Sequence, residues 1–159
     1  MEQNQTLNPK DAIRAIRILF IALIAGVVMF LAIIIGLSKL KAIPVKDTGM
    51  DNIFLIAASV IAVVCIISGM TVYKKRITEI ANSTNGLDQK LEQYRAALIL
   101  YLALGEGAAL FSVICLFITA NYWFVGITVV MLTMMFLKNP TKSRLTSDLQ
   151  LSSQEEQEL

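Results

Sequence analysis

ILFIALIAGVVMFLAIIIGL, residues 18–37, is a run of 20 residues without a charge. A bilayer's hydrocarbon core is about 30 Å thick, and a helix rises about 1.5 Å per residue. Roughly 20 apolar residues therefore span it. The run reads as a transmembrane helix. It follows 17 mostly polar residues and outlasts the apolar core of a secretory signal, and Ser38-Lys39-Leu40-Lys41 is not a small-residue cleavage site. It is expected to be retained.

The same pattern returns three times. Residues 53–73 form a second uncharged run of 21, 96–118 a third of 23 in which only Glu106 is ionisable, and 122–137 a fourth of 16. The fourth is long enough if Thr119 to Asn121 make the turn and Lys138 snorkels at the far end. Overall, the 159 residues are 56% hydrophobic and 16% charged, with a mean hydropathy of +0.67. Soluble domains carry about 25% charge. The expected fold is an all-α membrane protein, with four transmembrane helices in a compact antiparallel bundle, short loops and left-handed crossings near 20°. Its parts are an N-terminal segment 1–17, a membrane domain 18–137 and an acidic tail 138–159. The spans fall at about 18–37, 53–73, 96–118 and 120–137, with a helical loop at 74–95.

Charge sets the expected orientation. Eleven of the 14 basic residues lie before span one, between spans two and three, or after span four. Lys39, Lys41 and Lys46 lie in the first loop and none in the loop between spans three and four. The positive-inside rule then places both termini and the central loop in the cytoplasm of a cell membrane, here a bacterial inner membrane. The net charge of +2 follows from topology and gives no reason to expect nucleic acid. Lys74-Lys75-Arg76 suits anionic lipid headgroups.

In the central loop, 82–86 are turn formers that break span two near Ala81, and Leu87, Leu91 and Tyr94 recur at helical spacing beyond them. Asn139-Pro140 stops the fourth helix. The tail SSQEEQEL carries Ser153 and Glu156 at capping-box spacing. It reads either as a solvated end or as a docking segment for a partner.

Catalytic chemistry finds little to work with. There is no histidine, and no P-loop, GxSxG, HExxH or CxxC motif. Cys65 and Cys115 fall inside spans, where cysteine usually serves as small, soft packing. The chain is read as a non-enzyme without cofactor or metal.

Close helix approach in lipid depends on small residues. Span two offers Ala58, Ala62, Cys65 and Gly69 as one stripe. Span three offers two overlapping pairs, Ala103 with Gly107 and Gly105 with Ala109, around Glu106; span one adds Ala22 and Gly26. An acidic residue at mid-span costs about 2.5–3.5 kcal/mol on insertion scales and usually marks a function. No lysine or arginine lies within any span to pair with it. Glu106 is then either a neutral acid hydrogen-bonded to Ser59, Ser68, Thr71 or a carbonyl, or an ion-binding group, or a contact to a partner subunit or lipid headgroup.

YRAALILYLALGEGAALFSVICLF, residues 94–117, resembles the outer helix of the ring-forming proteolipid, the c subunit, of ATP synthases. Arg95 stands eleven residues before Glu106, and residues 103–111 follow that family's acid-bearing run. The resemblance implies that Glu106 binds a proton or sodium ion. Spans one and four lie outside it.

Two functions follow. One is a non-catalytic accessory or assembly subunit of a membrane complex, with the bilayer and either a second copy or another membrane protein as partners. The other is a proteolipid-like ion-binding subunit acting through Glu106, with Ser59 as a candidate second ligand.

Overall fold

The computed structural model describes residues 9–40, 49–151 and 155, with side chains from residue 13 onward. Lys41, Lys46, Ser153 and Glu156 of the sequence reading lie outside the described residues. Among the described residues the chain is helical. It forms α1 (Pro9–Lys39), α2 (Asp51–Ala81), α3 (Leu87–Thr119), α4 (Trp123–Phe136) and α5 (Lys142–Leu149).

Helices α1, α2 and α3 are each long and apolar enough to cross a membrane. The chain is an all-α membrane protein. At 31 to 33 residues these helices reach about 46–50 Å, well beyond a bilayer core. Helix α4 has 14 residues, about 21 Å. It starts later than the sequence suggests because Asn121 and Tyr122 are consumed by the turn. There Asn121 N–H donates to Thr119 Oγ1 (3.2 Å) and Trp123 N–H to Asn121 Oδ1 (3.1 Å). Ala120 sits between them in the left-handed region at φ 52°, closing α3 through its N–H to the Leu116 carbonyl.

Helix α3 is the centre of the molecule, and α1, α2 and α4 all pack on it. The core is layered along its length. At one end Ile16, Phe20, Tyr73, Ile80, Leu91, Tyr94 and Leu98 pack together, joined by Leu145 and Leu149 of α5. The middle layer holds Val27, Ala62, Ala108, Ala109 and Met131. The other end holds Ile34, Ala58, Val113, Leu116 and Phe124. From layer to layer, residue numbers rise in α1 and α3 and fall in α2 and α4. Each of α2, α3 and α4 thus runs antiparallel to its predecessor.

The break between α2 and α3 falls at 82–86, where Asn, Ser, Thr, Asn and Gly disfavour a continuing helix. Beyond it Leu87, Leu91 and Tyr94 are all buried. Their stripe faces the rest of the protein.

The antiparallel order brings the basic residues together. Arg14, Arg17, Lys74, Lys75, Arg76, Lys90, Arg95, Lys138, Lys142 and Arg144 all belong to the end where α2 finishes and α3 begins. Lys39 lies at the opposite end, where exposed Tyr122 and Trp123 stand.

Candidate functional site

Glu106 is half-buried, at one edge of the face that α3 turns inward. Its neighbours one turn away, Leu102 and Ala109, are fully buried. On its other side Ala103 and Gly107 are exposed, part of an outward strip continued by Ala96, Leu100 and Ile114. A Cβ added at Gly107 would meet nothing within 4 Å. Among the described residues, no hydrogen bond or ion pair reaches the Glu106 carboxyl.

The hydroxyls that sequence spacing offered to it are engaged or turned elsewhere. Ser68 Oγ donates to the Val64 carbonyl at 2.6 Å, and Thr71 Oγ1 to the Ile67 carbonyl at 2.8 Å, each within α2. Ser59 lies on the outward side of α2, and among the described residues it makes no bond to Glu106. The structure therefore does not bring Ser59 and Glu106 together.

The small residues divide by face. Ala58, Ala62 and Gly69 are buried in the α2–α3 seam, with Cys65 half-buried beside them. A Cβ on Gly69 would stand 3.3 Å from the Tyr101 ring. On α3, Gly105 and Ala109 are buried, and a Cβ on Gly105 would come within 2.8 Å of Met135 Cγ, so glycine lets α4 approach closely. Ala103 and Gly107 are exposed, and among the described residues no neighbouring helix comes within 4 Å of a Cβ position at Gly107. On α1, Ala22 is exposed and a Cβ on Gly26 would meet nothing within 4 Å. Cys65 and Cys115 are both free thiols.

Polar groups that sequence patterning left out hold the helices in register. Ser112 Oγ donates to the Phe124 carbonyl (2.9 Å), and Thr128 Oγ1 donates to the same oxygen (3.0 Å). Tyr101 donates to the Met134 carbonyl (3.0 Å). With no water in a bilayer core, such groups find partners in neighbouring helices or in their own turn.

A second polar assembly lies at the basic end. The Tyr73 hydroxyl donates to Asp148 Oδ2 (3.1 Å) and lies 3.3 Å from the Tyr94 hydroxyl. Lys138 Nζ stands 4.7 Å from the centre of the Tyr73 ring, and the Arg144 guanidinium donates to the Leu137 carbonyl. Helix α5 is started by Thr141, whose Oγ1 accepts from Arg144 N–H (3.3 Å), and it buries Leu145 and Leu149 completely. Lys90 Nζ pairs with Glu155 Oε1 at 3.2 Å. The alternatives of a solvated end or a partner's docking segment concern residues 152–159, of which only Glu155 is described; residues 142–149 dock on their own chain. Partial burial, with the Arg144 and Lys74 charges, holds the Lys138 ammonium below the usual lysine range, while Asp148 acts in the opposite sense.

No protein-family model, curated protein or solved structure matches the chain.

Proposed function

We propose that this chain is a non-catalytic accessory or assembly subunit of a membrane complex. Its partner, either a second copy or another membrane protein, seats a helix on the strip that carries Ala103, Glu106 and Gly107. One observation carries this reading: a carboxyl near the middle of α3 has no hydrogen-bond partner among the described residues and borders an outward strip of small side chains. In lipid an unsatisfied polar group costs several kcal/mol, roughly, so a second chain that supplies a donor or carbonyl gains that contact. Small neighbours allow the backbones to approach.

The same reading takes α4 as a fourth span, with both termini cytoplasmic in a bacterial inner membrane. Its support is the path of residues 120–138. They begin at the end of α3 and finish with Lys138 over Tyr73, at the opposite end of the helices. The gathering of basic residues at that end supports its cytoplasmic placement.

A photo-activatable side chain at Ala103, in native membranes, tests the proposal. A discrete protein adduct is expected there and none at Val64, exposed on α2. Only lipid adducts at both positions would overturn it.

The outward edge position of Glu106 also favours a second reading, a proteolipid-like subunit binding a proton or sodium ion. It differs in one respect: sodium then shields Glu106 from chemical modification.

A further inference from the structure

Lys74, Lys138 and Arg144 come from three different segments, yet the Lys74 and Arg144 charges both act on the Lys138 ammonium. Lys74 follows Tyr73 in α2. Lys138 lies over the Tyr73 ring at 4.7 Å, and Arg144 bonds the carbonyl of the residue before Lys138. Among the described residues one carboxylate, Asp148, acts against the charges around Lys138, and it is engaged: it accepts from the Tyr73 hydroxyl at 3.1 Å. Among those residues the cluster keeps an excess of positive charge. Directly beside it, α4 ends in Phe136 and Leu137, which are 62% and 57% exposed. Cations thus stand at the edge of an exposed apolar surface, at the end of α4, which the proposed function takes as the fourth span.

That juxtaposition matches the junction of a phospholipid, where a negative phosphate meets acyl chains. We infer that Lys74, Lys138 and Arg144 form a headgroup site for an anionic phospholipid, whose chains lie against Phe136 and Leu137. Basic pockets between helices near a membrane surface bind such headgroups. Arginine contributes a planar, multi-donor fork suited to phosphate oxygens, and the lysines contribute point charges. Free phosphate would use the cations alone. A lipid uses both surfaces, and the exposed Phe136 and Leu137 select it. The site is set by α5, since Leu145 and Leu149 hold Arg144 in place.

Native mass spectrometry of the full chain in detergent, titrated with phosphatidylglycerol or phosphatidylcholine, tests the site. Phosphatidylglycerol is expected to bind about tenfold more tightly than phosphatidylcholine, and K138Q/R144Q to weaken it about tenfold. K39Q, which removes an exposed cation at the opposite end of the helices, is expected to change it less than about twofold. Millimolar inorganic phosphate should not displace the lipid. Equal binding of the two lipids, an equal loss in K39Q, or displacement by phosphate would each overturn the assignment. If K138Q/R144Q does not fold, Leu137→Asn decides: it should weaken phosphatidylglycerol severalfold, and unchanged binding would contradict the proposal.

Discussion

Tyr73, near the end of the apolar part of α2, donates its hydroxyl to Asp148 of α5 at 3.1 Å, across 75 residues of sequence. With Leu145 and Leu149 buried beneath it, this bond fixes the C-terminal helix to the α2–α3 hairpin. The Tyr73 ring also packs on Tyr101, with centroids 5.5 Å apart, so α5 is tied to the central helix through one side chain. A hydrogen bond to a charged acceptor contributes about 1.5–3 kcal/mol net, and each buried leucine outside the lipid about 1.5–3 kcal/mol.

Removing that hydroxyl should free α5 before it unfolds anything else. Tyr73→Phe is expected to speed amide exchange in residues 142–149 about tenfold or more, with α3 exchange unchanged. Leu149→Ala should do the same with the tyrosine intact. Hydrogen-exchange mass spectrometry in detergent reads both.

The two glycines around Glu106 should behave oppositely in the isolated chain. Gly105→Ala pushes a methyl group against Met135 Cγ and is expected to destabilise by about 1–3 kcal/mol. Gly107→Ala meets open space and should be neutral or stabilising by up to about 1 kcal/mol. In membranes Gly107→Ala should still weaken cross-linking from Ala103. Unfolding titrations in mixed micelles separate the two variants.

Ala120 pays a left-handed backbone at the α3–α4 turn without glycine's freedom. Ala120→Gly is expected to stabilise by about 1 kcal/mol, read as a rise in Tm. A fall would contradict the turn geometry.

Much of this was legible in the sequence, for identifiable reasons. The runs 18–37, 53–73 and 96–118 exceed what any soluble core needs, so three membrane helices could be read directly. The turn at 82–86 is chemically unambiguous. The inward face of α3 was not legible. Ala103 with Gly107 and Gly105 with Ala109 have the same spacing, and nearly every residue around them is apolar, so no contrast says which pair turns inward. Docking of α5 was hidden because Leu145 and Leu149 make too short a stripe to stand out, and most of their cluster, on α1, α2 and α3, lies more than 40 residues away in sequence. The hydroxyls of Ser112 and Tyr101 bond main-chain carbonyls, for which no side-chain pattern exists.

Lys138 gives the stability a pH dependence. Its ammonium is held below the ordinary lysine value, first by burial, then by Arg144 and Lys74, against Asp148. Between the folded and unfolded values the unfolded chain binds more protons, so stability rises with pH across that alkaline window. Below the window both states are protonated and the penalty is complete. Lys138→Met should flatten the rise, as measured by Tm from pH 7 to 10. A steeper rise in the variant would contradict the assignment.

Glu106 decides the account. Glu106→Gln should leave the isolated chain's stability within about 0.5 kcal/mol, because no bond among the described residues depends on the acid. The direct measurement is labelling of Glu106 by a hydrophobic carbodiimide, which needs an accessible, protonated carboxyl. It is compared between the dispersed single chain and native membranes, with and without sodium. Labelling of the dispersed chain and protection in membranes, independent of sodium, is the predicted result. Equal labelling in both would leave the Ala103–Gly107 strip bare and contradict the subunit reading, and protection only by sodium would replace it with the ion-binding one.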